Sequence, residues 1–311
     1  MDKPIQGIHH ITAIVGNPQE NVDFYVDVLG LRLVKKTVNF DDPGTYHLYF
    51  GDKEGSPSTI MTTFPWDSAR QGKIGTGQVG ITSFVVPVGA LSFWEERLTH
   101  KQIQYKKHER FGEEYLSFVD SHGLKLEIVA RNQGEPSQWA YDDITPTEAI
   151  KGFGGAVLYT ANPEATGDLL VDVMGLKKVG EDGSLIRFEA EGDLGNLIDL
   201  DSSITEYGGL GVGTVHHIAW RAANDESQLE WQSHLKNHGF QPTEVMDRQY
   251  FKSIYFREAG GVLFEIATDP PGFLWDEHVE ELGSELKLPP WLEPARKKIE
   301  NIVLPITTPK S

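Results

Sequence analysis

An internal repeat constrains this chain more than any other feature. Residues 23–34 read Asp-Phe-Tyr-Val-Asp-Val-Leu-Gly-Leu-Arg-Leu-Val, and residues 168–179 read Asp-Leu-Leu-Val-Asp-Val-Met-Gly-Leu-Lys-Lys-Val; seven of twelve positions agree at an offset of 145. Looser matches join Trp94–Leu98 to Trp231–Leu235, Gly123–Glu127 to Gly261–Glu265, and Arg110 to Arg248. Self-similarity of this kind marks a tandem duplication of a unit of about 140 residues.

Each unit divides again. Residues 7–64 open with Ile8, His10, Thr12 and Ile14 alternating on one strand face, then run into an apolar-periodic helix ending at Gly30. Strand-like runs follow at Leu31–Thr37, Thr45–Phe50 and Thr59–Phe64. Residues 79–129 repeat the order, with strand Ile81–Val86, helix Leu91–Leu98 and strands near Tyr105, Tyr115–Val119 and Leu124–Val129; residues 152–200 and 213–268 do so again. The expected fold is α+β, built of four βαβββ modules. The Gly- and Pro-bearing connection Arg131–Lys151 divides an N-terminal domain, 1–140, from a C-terminal domain, 150–270. Residues 271–311 read as an extension wrapped over the body. Its acidic stretch, Asp276–Glu285, reads as a helix with a solvated face.

Charge and composition exclude several function classes. Lys and Arg number 28 against 46 Asp and Glu, a net charge of −18. Such a chain repels phosphate backbones and anionic lipid, so neither nucleic acid nor membrane is expected as a partner. It has no run of the ~18 apolar residues that span a bilayer. Met1-Asp2-Lys3-Pro4 lacks a signal-peptide pattern, which makes the cytoplasm the expected location. Cysteine is absent, so a metal site must draw on His, Asp and Glu.

Comparing modules separates scaffold from chemistry. Module one carries His9-His10 on its first strand and module four carries His216-His217, whereas module two has Gly80-Ile81 and module three Gly154-Gly155 at the matching positions. The modules therefore do not need histidine there to fold. Module four also ends in Gly-Gly-Val-Leu-Phe-Glu-Ile-Ala-Thr, which sets Glu265 inside an apolar strand, a costly position for a carboxylate without a partner or a metal. Two imidazoles and a carboxylate form the facial set that leaves open positions on Fe(II). Strand neighbours point to opposite faces, so one His of each pair faces the metal; periodicity does not say which. Glu127 and Asp199 occupy strand positions that read more simply as buried salt bridges or edges, and His47 reads as a core residue. The glycine runs at 72–77 and 209–213 lack the strand-loop-helix order of a phosphate loop.

His9-His10-Ile11-Thr12, Tyr46-His47-Leu48-Tyr49-Phe50, Met61-Thr62-Thr63-Phe64-Pro65, His216-His217 and Gly260-Gly261-Val262-Leu263-Phe264-Glu265 together resemble the ring-cleaving hydroquinone dioxygenases of the vicinal oxygen chelate (glyoxalase/extradiol dioxygenase) superfamily. The resemblance runs over nearly the whole chain. It implies two curved-sheet cups, with modules one and four together holding the metal and modules two and three forming a metal-free second cup. The ligands it implies are His10, His217 and Glu265. The metal is Fe(II), with Mn(II) as the alternative. His9, Thr12, His216, Arg248 and Tyr255 are implied as groups around the ligands and the substrate, among them the proton donor and an oxyanion-stabilising charge. The implied partners are a small aromatic diol of hydroquinone or catechol type and O₂, in quinone and aromatic detoxification; homo-oligomerisation is compatible with all of this.

Two other classes compete. A glyoxalase-type isomerase or lyase would want a fourth protein ligand, and module one offers only Met61 at the fourth-strand position. A metal-free protein sequestering aromatic compounds would need no His-Glu set.

Overall fold

The computed structural model describes residues 4–309. The expectation about Met1–Lys3 therefore lies outside the described residues. Module one runs β1 (Ile8–Val15), α1 (Pro18–Val22), β2 (Arg32–Asn39), β3 (Asp42–Gly51) and β4 (Ile60–Pro65). Module two runs β5 (Gln78–Val86), α2 (Leu91–His100), β6 (Tyr105–Arg110), β7 (Glu113–Val119) and β8 (Lys125–Ala130). Module three has β9 (Gly152–Tyr159), α3 (Pro163–Asp168), β10 (Lys177–Asp182), β11 (Leu185–Glu189) and β12 (Leu197–Asp201). Module four has β13 (Thr214–Ala222), α4 (Asp225–Asn237), a two-residue β14 (Met246–Asp247), β15 (Lys252–Arg257) and β16 (Leu263–Thr268). A short α5 (Arg296–Glu300) lies in the C-terminal extension.

The repeated segment folds alike in both copies. Asn17 caps α1 by accepting from the backbone N–H of Gln19 and Glu20, and Pro18 stands where a missing N–H costs nothing. Asn162 and Pro163 do the same for α3. Each short helix then widens into a π turn, Asp23–Val28 and Leu169–Val173, before a left-handed glycine, Gly30 or Gly175, releases the chain. Leu29 and Met174 are thereby buried under the sheets.

The strands form two eight-stranded sheets. One runs β14-β15-β16-β13-β1-β4-β3-β2, the other β10-β11-β12-β9-β5-β8-β7-β6. Each sheet takes one module from each half of the chain, joined at an antiparallel seam, β1·β13 in the first and β5·β9 in the second. Within every module the outer strands pair antiparallel and the fourth pairs parallel to the first. The glycine runs that are no phosphate loop prove to bind each other. Gly72 donates to Val212 and Lys73 exchanges hydrogen bonds with Gly209, so the two crossings between sheets lie side by side. A Cβ on Gly75 would stand 2.4 Å from the Glu206 carbonyl oxygen, so glycine is required there.

The acidic stretch 276–285 is not a helix with a solvated face. It follows a single 3-10 turn at Phe273–Trp275, contains another at Val279–Glu281, and otherwise runs irregularly across the first sheet. Glu277 is buried and, with Asp276, forms an ion pair with Lys35, a fully buried lysine on β2. An unpaired buried lysine would be prohibitive, so the acidic stretch supplies its counter-charge. Phe273 and Leu282 pack beside it among Val34, Tyr49, Tyr250 and Phe251.

Candidate metal centre

The seam of the first sheet builds the site. In the β1·β13 pairing Ile8 faces Trp220 and His10 faces Ala219, so His9 is an extra residue on β1. Farther along, Thr12 faces His217 and Ala13 faces Val215, which makes His216 the extra residue on β13. Both histidine pairs thus sit on β-bulges, which re-aim side chains where simple alternation would not. The second sheet carries the same two bulges, and its extra residues are Gly80 and Gly154. There a Cβ would collide with the Tyr159 ring at 2.3 Å and approach Val129 Cγ1 to 2.9 Å. The bulge belongs to the fold; the histidines belong to one sheet.

His10, His217 and Glu265 are all buried, and each offers a ligand atom within 4.8 Å of the others. The two Nε2 atoms are 3.2 Å apart, and Glu265 Oε2 lies 3.3 Å from His10 Nε2 and 2.8 Å from His217 Nε2. Oε2 is buried with no well-aligned hydrogen bond. The other faces of the ligands are held. His10 Nδ1 meets His9 Nδ1 at 2.9 Å, His217 Nδ1 meets His216 Nδ1 at 2.8 Å, and Ser253 donates to Glu265 Oε1. With Nδ1–H of His10 and His217 turned to the neighbouring histidine, as metal binding would require, each ring is fixed and each Nε2 presents its lone pair, the usual support of a metal-binding imidazole. Burial lowers His217 below the ordinary histidine range, although the facing carboxylate pulls the other way. Burial would raise Glu265, but His10 and His217 outweigh it and hold the carboxyl well below its usual range. Two imidazoles and one carboxylate, converging on a point where Oε2 lacks an aligned donor, fit a divalent cation.

His10 and His217 open on a cavity of about 410 Å³ lined mostly by aromatic side chains, among them Phe40, His47, Tyr49, Phe64, Trp66 and Phe251. His10, His216, His217, Arg248 and Tyr255 share this lining. Tyr255 stands directly across from Glu265 in the β15·β16 register, and Arg248 Nε donates to its hydroxyl at 3.3 Å. Burial, then the Glu265 charge, raises the Tyr255 phenol despite the opposing pull of Arg248. Arg248 also reaches Asp41 at 3.0 Å, tying module four to the β2–β3 turn across the cavity mouth. His216 is lowered to about 3, chiefly by burial and then by His217. Three residues of the expected set do not line this cavity: Glu265 lies behind the two imidazoles, and His9 and Thr12 point elsewhere. His9 borders a separate cavity of about 200 Å³ beside Phe251 and Phe273. Thr12 is fully buried and accepts a hydrogen bond from Thr62 at 2.9 Å.

The register corrects two residues. Thr12 pairs with Thr62 in β1·β4 as Ala219 pairs with Glu265 in β13·β16, so Thr62, not Met61, is the counterpart of Glu265. Likewise Tyr49 faces Thr62 as Tyr255 faces Glu265, which makes His47 the counterpart of Ser253. His47 is accordingly no mere core residue. It lines the cavity, with Nε2 2.8 Å from Thr62 Oγ1 and Nδ1 2.9 Å from the Tyr49 hydroxyl. Sequence reasoning also missed Ser253, Phe251 and Trp66. Ser253 could have been found, because it lies two residues before Tyr255 on the same strand face.

In the second sheet the matching carboxylates are spent on arginines. Arg110 binds both Glu127 and Asp199, and Arg187 grips Asp199 through Nε at 2.8 Å and a terminal nitrogen at 2.9 Å. Glu127 and Asp199 are the buried salt bridges that their strand positions suggested. Among the described residues the His-His-Glu group is the one cluster with metal-binding geometry.

The sequence model of the Glyoxalase/Bleomycin resistance protein/Dioxygenase superfamily matches residues 7–128 and 152–276. The chain belongs to this superfamily. Within it, the chain is 59% identical over 305 residues to MhqO of Bacillus subtilis (strain 168), whose name describes a ring-cleaving dioxygenase, and the match covers 98% of each chain. It is 37% identical over 307 residues, 95% of each chain, to the chlorohydroquinone/hydroquinone 1,2-dioxygenase of Sphingobium indicum. A crystal structure of a dioxygenase from Bacillus subtilis subsp. subtilis str. 168 superposes with a TM-score of 0.98 at 58% identity, covering 99% of this chain and 100% of that one. Glyoxalase I from Zea mays, at a TM-score of 0.63, 14% identity and coverage of 85% of this chain and 92% of its own, shares the fold alone. The superfamily fold joins the four βαβββ modules expected from the repeats into the two curved sheets that the resemblance implied, and the chain is a relative of ring-cleaving dioxygenases. None of the described helices is long and apolar enough to cross a membrane.

Proposed function

We propose that this protein is an Fe(II)-dependent dioxygenase that opens the ring of hydroquinone-type diols, catechols included as secondary substrates, in the detoxification of quinones and related aromatics. The observation that carries the reading is a three-residue group, His10, His217 and Glu265, whose two histidines line an aromatic-walled cavity, with no fourth His or carboxylate in the cluster among the described residues. A cavity of about 410 Å³ lies within the ~300–1,000 Å³ range of small-molecule sites. Manganese suits the same ligands and is the alternative ion.

Bound iron would supply open coordination positions and the one-electron chemistry that joins O₂ to a ring. The chain's own residues do the rest. His9 and His216 hold the ligand imidazoles through Nδ1, and Ser253 holds Glu265 through Oε1. The aromatic lining seats a flat ring and keeps water from it. Arg248, directed at the Tyr255 hydroxyl, offers fixed positive charge to a substrate oxygen as it loses its proton. Tyr255 is protonated at neutral pH as phenols are, and burial and the Glu265 charge hold it there more firmly, so it stands as a proton donor at the cavity wall. His216 supplies a neutral imidazole at the same wall. Thr12 acts at one remove, through Thr62 and His47. Both atoms of O₂ enter the product, so no external reductant is consumed.

The glyoxalase reading is weakened by Thr62, whose hydroxyl is already engaged by Thr12 and His47 and offers no charge. Anaerobic loading with Fe(II), followed by oxygen uptake with methylhydroquinone, catechol and a hemithioacetal, tests the proposal. Stoichiometric O₂ consumption with methylhydroquinone is expected. Turnover of the hemithioacetal without O₂ would sink the dioxygenase assignment.

A further inference from the structure

The first sheet is doubled about the β1·β13 seam, and the doubling exposes a wall of the cavity that ligand chemistry does not use. On the module-four side the set is Ser253, Glu265 and Tyr255. On the module-one side the same register positions hold His47, Thr62 and Tyr49. Both ring nitrogens of His47 are committed. Tyr49 O–H donates to Nδ1, Nε2–H donates to Thr62 Oγ1, and Thr62 O–H donates onward to Thr12. The run has one direction, and that direction fixes the ring in its Nε2–H tautomer. A histidine anchored at both nitrogens cannot bind a metal or take a substrate proton without breaking the run. What it can still offer the cavity is its flat carbon surface. That surface continues into others: the His47 ring lies 4.1 Å from Tyr49 and 4.5 Å from Phe64, and Phe64 stacks on Trp66 at 5.9 Å.

We propose that His47 is the centre of an aromatic wall, His47-Phe64-Trp66, its rings tilted by 49° at His47–Phe64 and 27° at Phe64–Trp66, that holds the planar ring of the substrate against the ligand group, with Thr12, Thr62 and Tyr49 fixing the orientation of the His47 ring. His47 is a positioning residue, and the ligand class is a single-ring aromatic diol. The inference rests on the proposed function for the identity of that ring, but not for its existence. A network this long around a non-ligand histidine is explained by the need to hold one ring orientation. It also accounts for the module-one threonines, which pass a hydrogen bond along without bringing charge to the wall.

The test separates binding from turnover. Methylhydroquinone is titrated calorimetrically into the Fe(II)-loaded protein without oxygen, for wild type, His47→Ala, His47→Phe and Tyr49→Phe. Loss of one offset ring contact predicts a ~3–10-fold weaker Kd for His47→Ala. His47→Phe keeps a flat ring and is expected to retain most of the affinity. Tyr49→Phe releases one anchor and is expected to fall between wild type and His47→Ala, which gives a milder probe should His47→Ala fold poorly. Metal content and the pH profile of binding between 6 and 8 are expected to be unchanged in all four. Equal losses in the Phe and Ala variants, or an unchanged Kd with a lowered kcat in His47→Ala, would overturn the aromatic wall. If the diol binds wild type with the predicted pattern and no O₂ is ever consumed, the aromatic wall stands and the dioxygenase reading fails.

Discussion

Thr62 stands in module one where Glu265 stands in module four, each directly beside the residue two positions past His10 or His217 in the parallel pairing. A carboxylate at both positions would give the first sheet four charged or imidazole ligands around one point. Thr62→Glu is therefore expected to close an open coordination position. Bound metal should resist chelators better than in wild type, and oxygen uptake with hydroquinones should fall by at least tenfold. Metal retention and O₂ consumption, measured on the same preparation, check both halves of this expectation.

The ligand group itself predicts metal loss. His217→Ala removes an Nε2 that faces both His10 and Glu265 and leaves a buried carboxylate with one partner fewer. Metal affinity is expected to drop by more than the ~10–100-fold that follows loss of an outer hydrogen bond. Elemental analysis after dialysis reads it directly; a variant that kept its metal and its turnover would not be compatible with His217 as a ligand.

Ser253→Ala is the milder counterpart. It deletes the donor to Glu265 Oε1 without touching a ligand atom. A ~10–100-fold weaker metal affinity is expected, with residual activity restored by excess metal. Restoration should be complete for Ser253→Ala and absent for His217→Ala.

Acid stability should report on the second sheet. Burial would raise Glu113, but hydrogen bonds and charge from Arg131, joined by Arg187 and Tyr115, bring it down to about 2. A carboxyl with a depressed folded value adds stability above the ordinary range near 4.5 and loses it as pH falls toward 2. The gap in thermal midpoint between wild type and Glu113→Gln is thus expected to be full at pH 7, to narrow below about 4.5, and to be nearly closed near pH 2. A gap of equal size at pH 7 and pH 2.5 would rule the ion cluster out as its cause.

Lys35→Met leaves Glu277 buried beside an apolar chain. Removing one partner of a buried pair costs about 3–5 kcal/mol, so chemical denaturation should show a loss of that size. Pairing Lys35→Met with Glu277→Gln should recover much of it.

The parts of this molecule that could be read from its residues are those that the repeats expose. The histidine pairs stood out because the second and third modules carry glycine at the same positions, and Glu265 because its strand is otherwise apolar. What stayed hidden depends on register. Alternation says that only one histidine of each pair faces inward, but the bulges at His9 and His216 bring each neighbour to within hydrogen-bonding distance of its ligand. A one-residue displacement also exchanged Met61 for Thr62, since side chains on a strand swap faces with each step. His47 looked like core because its strand is apolar on both sides. The acidic stretch 276–285 looked solvated because its buried counter-ion, Lys35, lies some 240 residues earlier, and no local pattern announces such a pairing.

The β1·β13 seam has a consequence for how the protein is made. His10 and His217 are 207 positions apart, and Glu265 follows later still. A nascent chain leaving the ribosome presents β1 early, but its seam partner is not yet synthesised. Modules two and three can close their own sheet first, between the two strands that must eventually meet. Until β13 arrives, one side of β1 is an unpaired edge and His10 stands without His217 and Glu265, so the proposed metal site is completed only in the last stage of maturation. A chain that stalls or is cut before residue 265 carries most of the fold's mass and lacks the one carboxylate of the proposed metal site.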